Sequence, residues 1–182
     1  MIGFRRQALR EATRSHHERL DGLTGRLLDR ISYMRYLRMM LAFRASIDPH
    51  LARLHPLDAG LEPVLLLSEL RLDCADLGSD PQIFAMAWNS PTTRSGQLGM
   101  MYVLEGSALG AHVLMAQAEQ LGMTATRGAR HLARQIADRT RWPAFLRVLE
   151  ASEPFSLNEA VDAAVCLFDV AISSAGTESH GE

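Results

Sequence analysis

The sequence predicts an all-α fold in a single domain, and three observations carry that reading. Apolar residues recur at three- and four-residue spacing in several separate segments, the period of a half-buried helix. Period-2 alternation bounded by hairpin turns is absent, so no strand pattern competes. No repeat of solenoid spacing, low-complexity block or long linker divides the chain. With 182 residues, 47% of them hydrophobic and 22% charged, the composition fits one sizeable core. The domain is expected to span residues 1–174, with 175–182 as a loose polar tail.

Leu9, Ala12, His16, Leu20, Leu23 and Leu27 mark the buried side of a first helix over 4–28, which Gly22 and Gly25 weaken at its end. A second helix is expected over 32–54, with Ser32 as N-cap and Pro49 ending or kinking it. His55–Gly60 reads as a turn, and 61–72 as a short helix with Pro63 in its first turn. Asp80-Pro81 looks like a cap followed by proline, so 83–88 is read as a helical piece. A long helix follows over 91–121. Residues 129–150 are read as mostly helical, interrupted near Pro143. Ser156 and Glu159 form a capping-box pair that opens a last helix, with Ser173 onward in the tail.

The long helix is the unusual one. A helix turns by roughly 100° per residue, which puts Gly99, Val103, Gly106 and Gly110 on one stripe. Leu104, Ala108, Ala111 and Met115 fall on the opposite side, so the helix is apolar on two faces and central. Three glycines on one face bring the backbone close to something flat or bulky. Helix packing and a planar cofactor both fit. On the first helix, Arg10, Thr13, Arg14, His17 and Asp21 flank the apolar stripe. A histidine on a rigid helix can ligate iron axially, and arginines a turn or two away can hold carboxylates. Spacing alone leaves His16, a core histidine, and His17, a solvated one, both open.

Several chemistries lack their residues. No Glu-x-x-His pair, Gly-x-Ser-x-Gly elbow, phosphate-binding loop or GxGxxG occurs. Net charge is −2, and the arginine-rich stretch Arg127, Arg130, Arg134, Arg139, Arg141 and Arg147 lacks interleaved aromatics, so nucleic acid is not an expected partner. That stretch reads as a solvated or protein-docking face. Cys74 and Cys166 have no metal-like spacing and suggest a reducing compartment. The first ten residues hold no run of signal-peptide length, and no stretch approaches about 20 apolar residues. A cytoplasmic protein, without membrane insertion and monomeric, is expected.

Leu9-Arg-Glu-Ala-Thr-Arg-Ser-His-His-Glu-Arg-Leu-Asp21 resembles the N-terminal signature of heme oxygenases, and Tyr102-Val-Leu-Glu-Gly-Ser-Ala-Leu-Gly110 the distal-helix signature of their bacterial branch. Gly128-Ala-Arg-His-Leu132 and Trp142-Pro-Ala-Phe-Leu146 also resemble bacterial members, in the same order along most of the chain. The resemblance implies heme bound between the first helix and the glycine-bearing helix. It favours His17 over His16 as the proximal iron ligand. It makes Arg10 a propionate contact and Arg14 a nearby basic one, and it places the Gly106 and Gly110 backbone over the oxygen side. Ser107 matches a polar position that supports a distal water network. Thr13, Asp21 and Val103 join the expected heme contacts.

Ala111 stands where many members have a second glycine, and arginine replaces the propionate-anchoring lysines of several relatives. Arg141 and Arg147 are candidates for a second anchor. The implied reaction is cleavage of heme to biliverdin, carbon monoxide and ferrous iron with O2. The chain has no flavin or nucleotide motif, so the electrons come from an external donor, a ferredoxin or NAD(P)H-dependent reductase. Alternatives are a heme-binding or heme-shuttling protein without turnover, and a helical interaction module.

Overall fold

A computed structural model describes residues 3–58, 60–79, 82–83 and 85–176. Its described residues form seven helices and no strand: α1 (Phe4–Thr24), α2 (Arg30–Leu51), α3 (Leu67–Asp76), α4 (Arg94–Gln120), α5 (Arg130–Gln135), α6 (Arg141–Ala151) and α7 (Leu157–Gly176). The all-helical expectation holds, and the departures from the expected boundaries each have a local cause.

Gly25, with φ of 62°, stops α1 before residue 28. Asp29, not Ser32, caps α2; Ser32 sits three residues on, and the two side chains bond each other's backbone N–H reciprocally. Pro49 lies inside α2, which continues two residues past it. The helix expected over 61–72 is shifted to Leu67–Asp76, because its cap comes from another element. The Asp48 carboxylate of α2 accepts the N–H of Leu66 at 2.7 Å and of Leu67 at 2.8 Å. No helix forms over the described part of 83–88. There the Met86 N–H bonds the Ser46 hydroxyl at 2.9 Å, and so short a segment cannot recover the cost of nucleating a helix. Asp80 and Pro81 lie outside the described residues.

The interruption expected near Pro143 falls earlier. Asp138 accepts the Thr140 N–H at 2.8 Å and the Thr140 hydroxyl at 2.6 Å. Pro143 then lies in the first turn of α6, where proline is tolerated. α7 runs through Ser173 to Gly176, with Ser174 buried, so the expected tail begins too early; residues 177–182 lie outside the described residues.

α7 is the spine. α1 and α4 both pack along it rather than on each other, and α6 lies against both of them. Gly99 is where α4 meets α7 most closely: a Cβ there would overlap the backbone of Ala160. A second core gathers α2, α3, α5 and the distal half of α4 around Tyr33, Leu37, Leu66, Leu70, Ala111 and Leu132. Against the sequence expectation, α4 is long and apolar enough to cross a membrane by length and composition. A helix packed at the centre of a fold meets the same description.

Candidate functional site

α1 and α4 hang on α7 separately and scarcely touch each other, which leaves a gap, the cleft below, between their exposed sides. Two cross-links bracket it. At one end the Arg6 guanidinium stands 5.7 Å over the Trp142 ring, which is 5.8 Å from the Tyr102 ring. At the other, the Leu27 N–H after α1 donates to Gln117 Oε1 at 2.9 Å. The two helices therefore run in the same direction. His17 and the Gly106–Gly110 turn both fall between the links.

On the α1 wall, His17 Nδ1 lies 2.9 Å from Asp21 Oδ2, one turn on, with both side chains about two-thirds exposed, at 65% and 69%. Asp21 thereby fixes the tautomer with the proton on Nδ1 and leaves the Nε2 lone pair for a metal. The Phe168 ring of α7 meets the His17 ring edge-on at 6.0 Å. His16 lies against the same ring at 6.4 Å but is more buried, with Nε2 3.7 Å from Asp169 and Nδ1 without a hydrogen-bond partner among the described residues. The structure thus separates two neighbours that spacing could not. Arg10 and Arg14 are exposed. Thr13 is buried, and its hydroxyl donates to the Leu9 carbonyl at 2.8 Å, so its proton is committed to its own helix.

On the α4 wall, a Cβ at Gly110 would meet nothing within 4 Å, and one at Gly106 only the Trp142 ring at 3.6 Å. Leu109 and Val113, apolar and one turn apart, are 54% and 60% exposed. Val103 is half-buried. The wall is an uncovered apolar strip with its backbone accessible, which suits a flat apolar ring. Ser107 is exposed; its hydroxyl donates to the Leu104 carbonyl at 2.7 Å and accepts from Gln135 Nε2 at 2.7 Å.

Arg6, Tyr102, Trp142 and Gln135 were not singled out as site residues from sequence. Arg6 carried a signal, lying one helical turn before Arg10. Tyr102 is half-buried near both arginines; burial pushes its phenol up against their pull. Two cations and a phenol at one end of an apolar cleft suit carboxylates. Arg141, considered for that task, is otherwise engaged. It bonds the Glu105 carboxylate at 2.6 Å and the carbonyls of Gly60 and Glu62 at 3.1 Å and 2.7 Å. Arg147 is exposed on α6. Of the other arginines in that stretch, Arg130 pairs with Asp73 and Asp76 and Arg134 with Glu69, while Arg127, Arg139 and Arg147 are exposed and form no ion pair among the described residues.

No family model matches the sequence. The chain is 32% identical over 166 residues to the heme oxygenase PigA of Pseudomonas aeruginosa, covering 86% of this chain and 81% of that protein. Its fold is similar to the crystal structures of the NO- and CO-bound heme oxygenase of Neisseria meningitidis, with a TM-score of 0.76, 25% identity, and coverage of 100% of this chain and 96% of that one.

Proposed function

The chain belongs to the heme oxygenase family, and from that premise we propose that the α1–α4 cleft binds heme as its substrate, with His17 as the residue that would hold its iron. The activity is oxidative heme degradation. The observation that carries the site is the bracketed cleft itself, with an oriented imidazole on one wall and exposed glycine backbone on the other.

Bound heme supplies both the redox-active iron and the ring that is cut. The residues of the chain bind, orient and confine it. Asp21 holds the His17 Nδ1 proton and raises the donor strength of Nε2. Arg6, Arg10 and Tyr102 take the propionate carboxylates, which orients the ring within its plane. Leu109 and Val113 cover its apolar face, and Gly106 and Gly110 let the α4 backbone approach its other reactant. Trp142 closes the space beside Gly106. Dioxygen and external electrons are the co-substrates, and biliverdin, carbon monoxide and ferrous iron are the products. The exposed Arg127, Arg139 and Arg147 suit an acidic ferredoxin or reductase as donor. We place the protein in the cytoplasm as a monomer, with a catalytic domain that extends through the end of α7 at Gly176.

Hemin titration tests this. The wild-type protein should give a sharp Soret band that His17→Ala abolishes, and biliverdin absorbance should grow when reductant and oxygen are added. Arg6→Gln with Arg10→Gln should weaken hemin binding about tenfold, the scale of a lost charged hydrogen bond, and leave heme dimethyl ester binding unchanged. A Soret band that persists under reductant and oxygen refutes the enzyme reading.

A further inference from the structure

The Gly106–Gly110 turn of α4 has almost no packing of its own on the cleft side. Gly110 faces open space and Gly106 meets only the rim of Trp142. Within the same turn the Ser107 hydroxyl bonds back to the Leu104 carbonyl, an interaction that competes with the helical ladder and bends helices. From α5, the Gln135 side chain reaches into this turn, its Nε2 donating to Ser107 Oγ at 2.7 Å. Gln135 is the last residue of α5, and α5 is firmly seated. Asp73 accepts the N–H of Arg130 and of His131, both at 3.0 Å, and Asp76 accepts the Gly128 N–H at 2.8 Å. Gln135, Ser107 and Leu104 thus form a directed chain, amide to hydroxyl to carbonyl, that polarises along its length.

We infer that Gln135 is a positioning residue that fixes the glycine turn over the cleft and sets the direction of the Ser107 hydroxyl. This deepens the heme reading above and rests on it only where heme is loaded. Ser107 spends its one proton on Leu104. Its exposed oxygen is therefore left as an acceptor, and proton donation beside it falls to a water held by its remaining lone pair or to the second amide proton of Gln135.

The test uses the full chain with Gln135→Leu, Ser107→Ala, the double variant and Gln135→Glu. In protein without heme, amide exchange over Ser107–Ala111 should speed up about tenfold in Gln135→Leu. The double variant should add nothing to Ser107→Ala. Gln135→Glu must take the hydroxyl proton away from Leu104, so it should loosen the same turn while the fold, read by circular dichroism, stays intact. With hemin bound, the pH midpoint of the ferric spectral transition should move in Gln135→Leu and in Gln135→Glu, in opposite directions. Unchanged exchange in that turn, additive effects, or an unmoved midpoint overturns the inference. Failure to bind hemin overturns the heme reading instead and leaves the exchange result standing.

Discussion

Gly99 and Gly110 occupy one stripe of α4, and a methyl group added to each has opposite consequences. At Gly99 it would press into the backbone of Ala160, which no rotamer change can relieve. Gly99→Ala should therefore destabilise the protein by about 1–3 kcal/mol, read as a lower urea midpoint. At Gly110 the space is open, so Gly110→Ala should raise the stability of the heme-free protein by about 0.5–1 kcal/mol through helix propensity. The same variant should slow heme cleavage, because the methyl stands where the backbone must come close; equal midpoint shifts of one sign would contradict this division. The glycine stripe was legible from angles alone. Its split was not, since an angle says which way a residue faces but not what lies there. The same limit hid Arg141, which looked available in sequence and is bound to Glu105.

At the scale of elements, the start of α7 was read correctly from its local cap, where the Ser156 hydroxyl accepts the Glu159 N–H at 3.4 Å, although the Ser156 N–H that a full capping box would tie to Glu159 goes to the Ser95 hydroxyl of α4 at 2.9 Å. α3 was misplaced because its start is set by a carboxylate elsewhere, Asp48. α5 begins within a residue of its expected start, where Asp73 holds its first N–H groups, and it is the break after it that comes early. The α3–α5 junction also has a pH signature. His131 is fully buried between Asp73, 2.8 Å from its Nδ1, and the Tyr36 hydroxyl, 3.3 Å from its Nε2. Burial holds its pKa below the ordinary 6.5, so the native ring stays neutral. The unfolded chain takes up a proton that the native state refuses. Stability is then complete above that ordinary value and lost as pH falls beneath it, by up to about 1.4 kcal/mol per pH unit. Asp73 has its own acid limit. Burial raises it, but the hydrogen bonds from His131 and Arg130 prevail and hold it below the usual carboxylate range. Its contribution is lost only at lower pH, as the carboxylate protonates. Urea midpoints between pH 5 and 6.5 should fall in the wild type and flatten in His131→Asn; an unchanged slope in that variant would place the effect elsewhere.

For the whole molecule, the cleft is a gap between two helices fastened to a third in different ways. α4 meets α7 backbone to backbone at Gly99 and Ala160. α1 meets it through side chains, Leu9 in the core and His16 against Phe168. The start of α1 is pinned, with Arg5 bonding the carbonyls of Leu149 and Ser152 at 2.8 Å and 2.6 Å and Glu150 accepting the Arg6 N–H at 2.9 Å. Beyond Thr13, the exposed residues His17 and Asp21 bond only each other in this way. Amide exchange in the heme-free protein should therefore be faster over His17–Thr24 than over Leu98–Leu104, and hemin should slow the first segment selectively. Equal protection of both would mean that the walls open together. The missing side-chain layer at Gly99 thus has a kinetic meaning. A crossing with no slack cannot act as a hinge, so traffic of a rigid disc in, and of a flexible open-chain pigment out, falls to the far half of α1. On the proposed role of His17, the helix that would hold the iron is then also the door through which the product leaves.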